Sequence, residues 1–157
     1  MRASIGSSRV LAALGGLVLL LAPVSTAAVI EWVPIGNIGN PADSQPQGPF
    51  GSVAYEYAIS RFETTNSEYA SFLNAKAASD PFGLYSTSME TDSHGGIVRL
   101  GTSGNYTYEV KAGFEQDAVN FVTFFDALRF ANWIHNGEGS GDTETGAYTL
   151  LGGTATR

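Results

Sequence analysis

Residues 118–150, AVNFVTFFDALRFANWIHNGEGSGDTETGAYTL, constrain the fold most, because one run carries a start signal, a period and a stop signal. Thr123 and Asp126 stand three apart, the spacing at which an N-terminal side chain satisfies backbone N–H groups that a helix leaves open. Phe124, Ala127, Leu128, Ala131 and Ile134 then recur at helical spacing, and Phe130 and Trp133 widen the apolar face. Asn136-Gly137 supplies the left-handed turn that ends a helix. Upstream, Val119 and Phe121 alternate with polar neighbours as a half-buried strand does. Downstream, a glycine-rich acidic turn leads to a second expected strand at residues 147–151. The expected unit is strand–helix–turn–strand.

The N-terminus has the composition of an export signal. Arg2 and Arg9 precede 12 residues, 10–21, with no polar side chain. Pro23 breaks the run, and Ser25-Thr26-Ala27 offers the small residues that a signal peptidase reads. A spanning helix needs about 20 apolar residues, so residues 1–27 are expected to be a signal peptide rather than an anchor. The mature chain, 28–157, is then one domain by the usual size relation. Its expected place is secreted, periplasmic or on the cell surface.

Charge and cysteine content exclude several partners and chemistries. All 15 acidic residues fall after the signal, whereas two of the eight basic ones leave with it, so six remain and the mature net charge is −9. Nucleic acid demands a basic footprint, and anionic membranes demand the same sign. No cysteine occurs anywhere in the chain, which removes thiol catalysis, thiolate metal sites and disulfides.

Local patterns fill in the remainder. Residues 29–35 read as an edge strand that tolerates Pro34, and residues 36–51 as an ordered loop. Val53, Tyr55, Tyr57 and Ile59 alternate as a strand continuing into Arg61-Phe62-Glu63. Thr65 and Glu68 repeat the capping-box spacing before a helix with Tyr69, Phe72, Leu73 and Ala77 on one face, stopped by Asp80-Pro81. Residues 82–95 are irregular, with Tyr85 and Met89 as anchors on the core. Residues 97–100 and 106–110 form a hairpin around Gly101 and Asn105. Two helices among short strands and long loops make an α+β pattern.

Each polar group that suggests chemistry also has a structural reading. His94 and His135 are 41 residues apart in the sequence and lack the spacing of a metal pair. Glu138, Asp142 and Glu144 offer oxygen ligands that suit calcium, or carboxylates that bind loop N–H groups; the EF-hand pattern is missing. Glu63, Asn66 and Glu68 read as capping and loop-pinning residues. Asn105-Tyr106-Thr107 fits the N-glycosylation sequon. The aromatic residues suit a sugar-stacking surface, but their periodicity assigns most of them to the core.

Five blocks follow one another in order: IGNIGNPAD (35–43), YEYAISRFETTNSEYASFLNA (55–75), DPFGLYSTSM (80–89), VNFVTFFDALRFANWIHNG (119–137) and TETGAYTL (143–150). Within them, E-x-T-N-x-x-Y-x-x-F-L-N and D-A-x-x-F-A-N-W are the most specific. The chain resembles the formylglycine-generating enzyme or sulfatase-modifying-factor family, especially its exported bacterial members. That resemblance implies a C-type-lectin-like domain and covers its N-terminal half. The copper-binding cysteine pair and most calcium ligands of the family's oxidases lie in the half not matched, and iron-dependent relatives use a histidine cluster. The resemblance therefore carries no catalytic, cofactor-binding or metal residue onto this chain, and residues 28–157 are expected to form a partial domain of this type.

Two functions remain. One is an exported non-catalytic scaffold or binding module for a protein or glycan at the cell surface, without a cofactor of its own. The other is part of an oxidase that converts a sulfatase cysteine to formylglycine. Because the unmatched half would cover the two helices, an exposed apolar patch is expected on their faces. Export itself is testable: N-terminal sequencing of secreted material is expected to find cleavage close to Ala27, and a mature chain that still begins at Met1 in the membrane overturns it.

Overall fold

A computed structural model describes residues 30–153; residues 1–29, which include the expected signal segment, and residues 154–157 lie outside them. In chain order the elements are β1 (Trp32–Ile35), β2 (Asp43–Gln45), β3 (Gly48–Phe50), β4 (Tyr57–Ser60), α1 (Asn66–Lys76), α2 (Ser88–Thr91), β5 (Ile97–Leu100), β6 (Thr107–Val110) and α3 (Phe124–His135). The strands pair antiparallel as β1–β4, β2–β3 and β5–β6. This is an α+β architecture. No helix among the described residues is long and apolar enough to cross a membrane.

Both helices start where their side chains predict. The Glu68 N–H donates to Thr65 Oγ1 at 3.2 Å, and the Thr65 N–H donates back to the Glu68 carboxylate at 2.7 Å. Thr123 and Asp126 make the same reciprocal pair at 3.3 and 2.9 Å. Each box satisfies two backbone donors that the start of a helix leaves without an intrahelical partner. At the far end of α3, Gly137 takes φ 84° and Glu138 returns its N–H to Trp133 O at 2.8 Å. Helix α1 ends at Lys76 with Ala77 as cap, ahead of the expected stop at Asp80-Pro81.

The core is an aromatic cluster between these helices. Phe72 lies edge-on to Tyr69 and to Phe130, each at 5.5 Å between ring centroids, and Trp133 sits 5.4 Å from Phe72. Such pairs add about 0.5–1.5 kcal/mol each beyond the area they bury. Leu73, Ala77, Leu84, Met89 and Ile97 close the cluster, and Tyr85 and Met89 anchor the irregular segment as expected. The expected face of α1, with Tyr69, Phe72, Leu73 and Ala77, therefore finds cover inside the described chain, as do Phe130 and Trp133 of α3.

The buried side of α3 differs from the expected one. It consists of Phe130 and Trp133 together with Asp126, Arg129 and Asn132, while Phe124 is 72% exposed and Ala127 faces water. Leu128, Ala131 and Ile134 are half-buried. A 3.6-residue period fits either stripe, and hydrogen-bond partners elsewhere in the chain decide that the polar one goes in.

Several expected strands are absent, for local reasons. Residues 119–123 do not form one, because Phe121 adopts φ 64° and breaks the extended run. What survives is a single bridge of Thr65 with Ala118, beside a 2.9 Å bond from Val119 N to Thr64 O. Residues 147–151 are also irregular; there the Asn132 side chain takes the place of a strand neighbour. It accepts the Tyr148 N–H at 2.8 Å and donates to Tyr148 O at 3.0 Å. Asn74 does the same for β6, accepting the Tyr108 N–H at 2.9 Å and donating to Tyr108 O at 2.8 Å. The strand expected from Val53 through Glu63 shrinks to β4, and the loop expected at 36–51 contains the β2–β3 hairpin. A one-turn helix, α2, joins the two expected ones.

Two core tyrosines give this fold a pH limit. Burial, then the charge of Glu90 beside it, pushes the Tyr85 hydroxyl up to about 12. Burial, then Asp80, does the same for Tyr108, whose hydroxyl donates to Ala77 O at 2.8 Å. The unfolded chain ionises its tyrosines first, near 10, so the stabilisation is intact below pH 10 and disappears as pH rises through about 12. Urea unfolding at stepped alkaline pH is expected to show that loss. A Tyr85→Phe, Tyr108→Phe double variant is expected to flatten it.

Candidate functional site

The polar stripe of α3 organises the chain that follows it. Arg129 is fully buried, and its Nε and Nη2 donate to the two carboxylate oxygens of Glu144 at 2.6 and 3.1 Å. The guanidinium also lies 4.0 Å from the centre of the Phe82 ring, a favourable stack for a desolvated cation. Glu144 accepts the Gly152 N–H at 3.1 Å, and its carbonyl accepts the Leu150 N–H at 2.9 Å. Asn132 completes the hold by donating to Thr143 O at 2.9 Å. Residues 143–152 are thus pinned by side chains rather than by a sheet.

Asp142 turns the chain into this segment. Its carboxylate accepts the Thr145 hydroxyl and the N–H groups of Glu144 and Thr145. The Thr145 hydroxyl, then the Glu144 N–H, hold it below the usual carboxylate range. Asp142 and Glu144 therefore bind loop N–H groups and Arg129, while Glu138 sits apart at φ 62°. Among the described residues, no three His, Cys, Asp or Glu side chains are grouped to hold a metal.

The other sequence candidates do not converge on one centre. His94 is exposed and meets Asp92 at 3.1 Å. Glu68 is spent on its capping box, and Asn66 pins the neighbouring loop by donating to Phe114 O and Asp117 O at 2.9 and 3.2 Å. Glu63 lines a small apolar cavity beside Tyr69 and Phe130. Asn105 is exposed in the β5–β6 loop.

His135 alone reaches a larger feature. A groove of about 620 Å³ runs between β4 with its lead-in and the pinned turn that carries Tyr148. Tyr55, Tyr57 and Ile59 line one wall, and Ala147, Tyr148 and His135 line the other. Glu56 is the only carboxylate among its lining residues. Tyr55 is 69% exposed, and its ring meets that of Tyr57 edge-on at 6.3 Å. Ala58 and Glu56 line the groove beside the ring-bearing residues, so it takes in the free backbone edge of β4 as well as one face. Alternation had revealed the strand, but an alternating face looks the same whether it meets a core or water.

Exposed apolar surface lies on the β1–β4 sheet, with Trp32, Tyr57 and Ile59 all at 40% or more, and on the helices it includes Phe124 at the start of α3. Arg129 and Asn132 were missed by sequence reasoning. Their one signal is position, since each lies between apolar neighbours on the side of the helix that Phe130 and Trp133 share. Fold and site together define an α+β domain with an open aromatic groove. Comparison of the chain with protein families, with characterised proteins and with solved structures finds no match in any of the three.

The clamp makes an asymmetric prediction. Glu144→Gln leaves the Arg129 charge buried without its partner and is expected to cost on the order of 2–3 kcal/mol, less than a fully buried pair because solvent reaches Glu144. Arg129→Met together with Glu144→Gln is expected to recover much of that loss. Urea midpoints for the two variants check it, and equal losses in both refute the clamp.

Proposed function

We propose that this chain is an exported, non-catalytic binding module of the sulfatase-modifying-factor type, with a C-type-lectin-like domain that presents the groove to a partner at the cell surface. The observation that carries this reading is the placing of exposed Tyr55, Tyr57 and Tyr148 on the groove walls, with Glu56 and His135 among the other lining residues. Tyrosine combines large apolar area with a hydroxyl and few rotatable bonds, so it orders at low entropic cost when a partner arrives. The wall that carries Tyr148 is held by Asn132 of α3 and by the Arg129 clamp, which suits binding without rearrangement on that side.

A protein segment and a glycan both suit such rings, and treatment of the cells separates them. Purified mature chain is expected to associate with washed cells of its own source, and Tyr55→Ala with Tyr148→Ala is expected to reduce that association several-fold. Loss after protease treatment of the cells identifies a protein partner, whereas loss after periodate identifies a glycan. Association that the two substitutions leave unchanged overturns the reading.

The exposed Trp32, Ile59 and Phe62 favour a second reading, in which further chain covers the β1–β4 sheet in a formylglycine-generating oxidase. Formylglycine appearing in a cysteine-containing sulfatase peptide, with copper and oxygen supplied, would establish it.

A further inference from the structure

The chain has seven tyrosines, and four of them are occupied from within. The hydroxyls of Tyr69, Tyr85 and Tyr108 donate to Leu84 O, Ile97 O and Ala77 O at 2.9, 3.4 and 2.8 Å. The ring of Tyr106 carries the Arg99 guanidinium, 4.4 Å from its centre. Tyr55, Tyr57 and Tyr148 are the other three, and all of them are exposed and line the groove. Among the described residues no cation lies over their rings and their hydroxyls make no hydrogen bond. Glu56, the carboxylate of the groove, likewise has no ion pair or hydrogen bond there.

The cations of the chain are all engaged elsewhere. Arg61, Lys76, Arg99, Lys111 and Arg129 are the lysines and arginines among the described residues. Four of them stand over a ring: Arg61 over Phe62 at 5.7 Å, Arg99 over Tyr85 and Tyr106 at 4.8 and 4.4 Å, Lys111 over Phe114 at 5.8 Å and Arg129 over Phe82 at 4.0 Å. Each arginine also meets a carboxylate, Glu31, Asp80 and Glu144 in turn. Lys76 donates to Ser140 O and Gly141 O. None of the five lines the groove. Arg99 is thus held by two tyrosine rings and one carboxylate, and the groove offers the same components with no cation of the described chain among them.

We propose that the groove takes the guanidinium of an arginine on a partner protein. A guanidinium is planar and weakly hydrated, so it stacks on a tyrosine face while its N–H groups donate to a carboxylate. Tyr55 and Tyr57 stand at 66° with centroids 6.3 Å apart, so the two rings make a corner instead of a flat shelf, and Tyr148 lines the opposite wall. Glu56 supplies the charge, which a neutral sugar would leave unanswered. At longer range the net charge of −7 draws a basic partner in the same direction. This inference rests on the reading of the groove as a binding site and names its occupant.

The test compares two peptides that differ in charge and hardly in shape. Acetyl-Gly-Arg-Gly-amide is titrated into the mature chain while the backbone amide signals of residues 55–57 and 148 are followed, and the same peptide with neutral citrulline in place of arginine is the control. The arginine peptide is expected to shift those signals and to bind roughly fivefold or more tightly than the citrulline one. Glu56→Gln is expected to remove most of that difference. Tyr55→Leu with Tyr148→Leu keeps apolar bulk without a ring face, and it is expected to weaken arginine binding by roughly the same factor. All three positions are exposed, so these changes leave the core intact. Arg157 lies outside the described residues, and Arg157→Ala is measured beside the others; tighter peptide binding by that variant would place the chain's own arginine in the groove and overturn the proposal. Equal binding of the two peptides, shifts confined to other residues, or indifference to Glu56→Gln overturns it as well. Cell association that needs Tyr55 and Tyr148, survives protease and is lost to periodate overturns the arginine partner and leaves the binding reading standing. Selective arginine binding without cell association supports the guanidinium site and removes the cell-surface reading.

Discussion

The buried pairing of Arg129 with Glu144 is the interaction on which the rest of the C-terminal structure depends. A charge with no water around it is costly unless a partner and further hydrogen bonds meet it. Here both carboxylate oxygens of Glu144 meet Nε and Nη2 and the Phe82 ring meets the guanidinium face, while Nη1 has no hydrogen-bond partner among the described residues. Meeting that requirement fixes where residue 144 must sit, and the segment after it follows. Asn132, one turn away on the same helix, then receives Tyr148. Two polar residues on α3 thus do the positioning that a strand pair does in a regular sheet.

The groove is a consequence of this arrangement. Because residues 147–151 are held by side chains, they make no ladder with β4, and the space between the two remains open. The β1–β4 sheet contributes rings and a backbone edge, yet most of its residues are exposed. The rigid part of the molecule is the aromatic cluster around Phe72, Phe130 and Trp133, and the surface it supports faces outward. A molecule built this way has a pinned wall at Tyr148 beside an exposed two-stranded sheet.

Much of the local structure was legible in the chain. The capping boxes at Thr65 and Thr123, the left-handed glycine at 137, the β5–β6 hairpin and the anchors Tyr85 and Met89 all stand where spacing placed them. The failures cluster where a side chain replaced a backbone neighbour. Residues 147–151 have strand composition, but Asn132 occupies the hydrogen-bonding positions that a strand would use. Residues 119–123 alternate well, yet Phe121 turns left-handed as the chain approaches Thr123. Of the groove, the sequence showed the alternating tyrosines and not the side on which water lies.

The sequence by itself determined where α1 and α3 begin and where α3 ends, because a cap is made among residues three or four apart. It also determined what the chain lacks, since the absence of cysteine and the acidic balance do not depend on folding. Only the tertiary structure decided which stripe of α3 is buried. Periodicity ranks faces by hydrophobicity, whereas burial of Arg129 and Asn132 depends on Glu144, Thr143 and Tyr148, residues that another part of the chain must deliver. The exposure of β4 was decided in the same way, by the distant turn at Tyr148 and its failure to close against the strand.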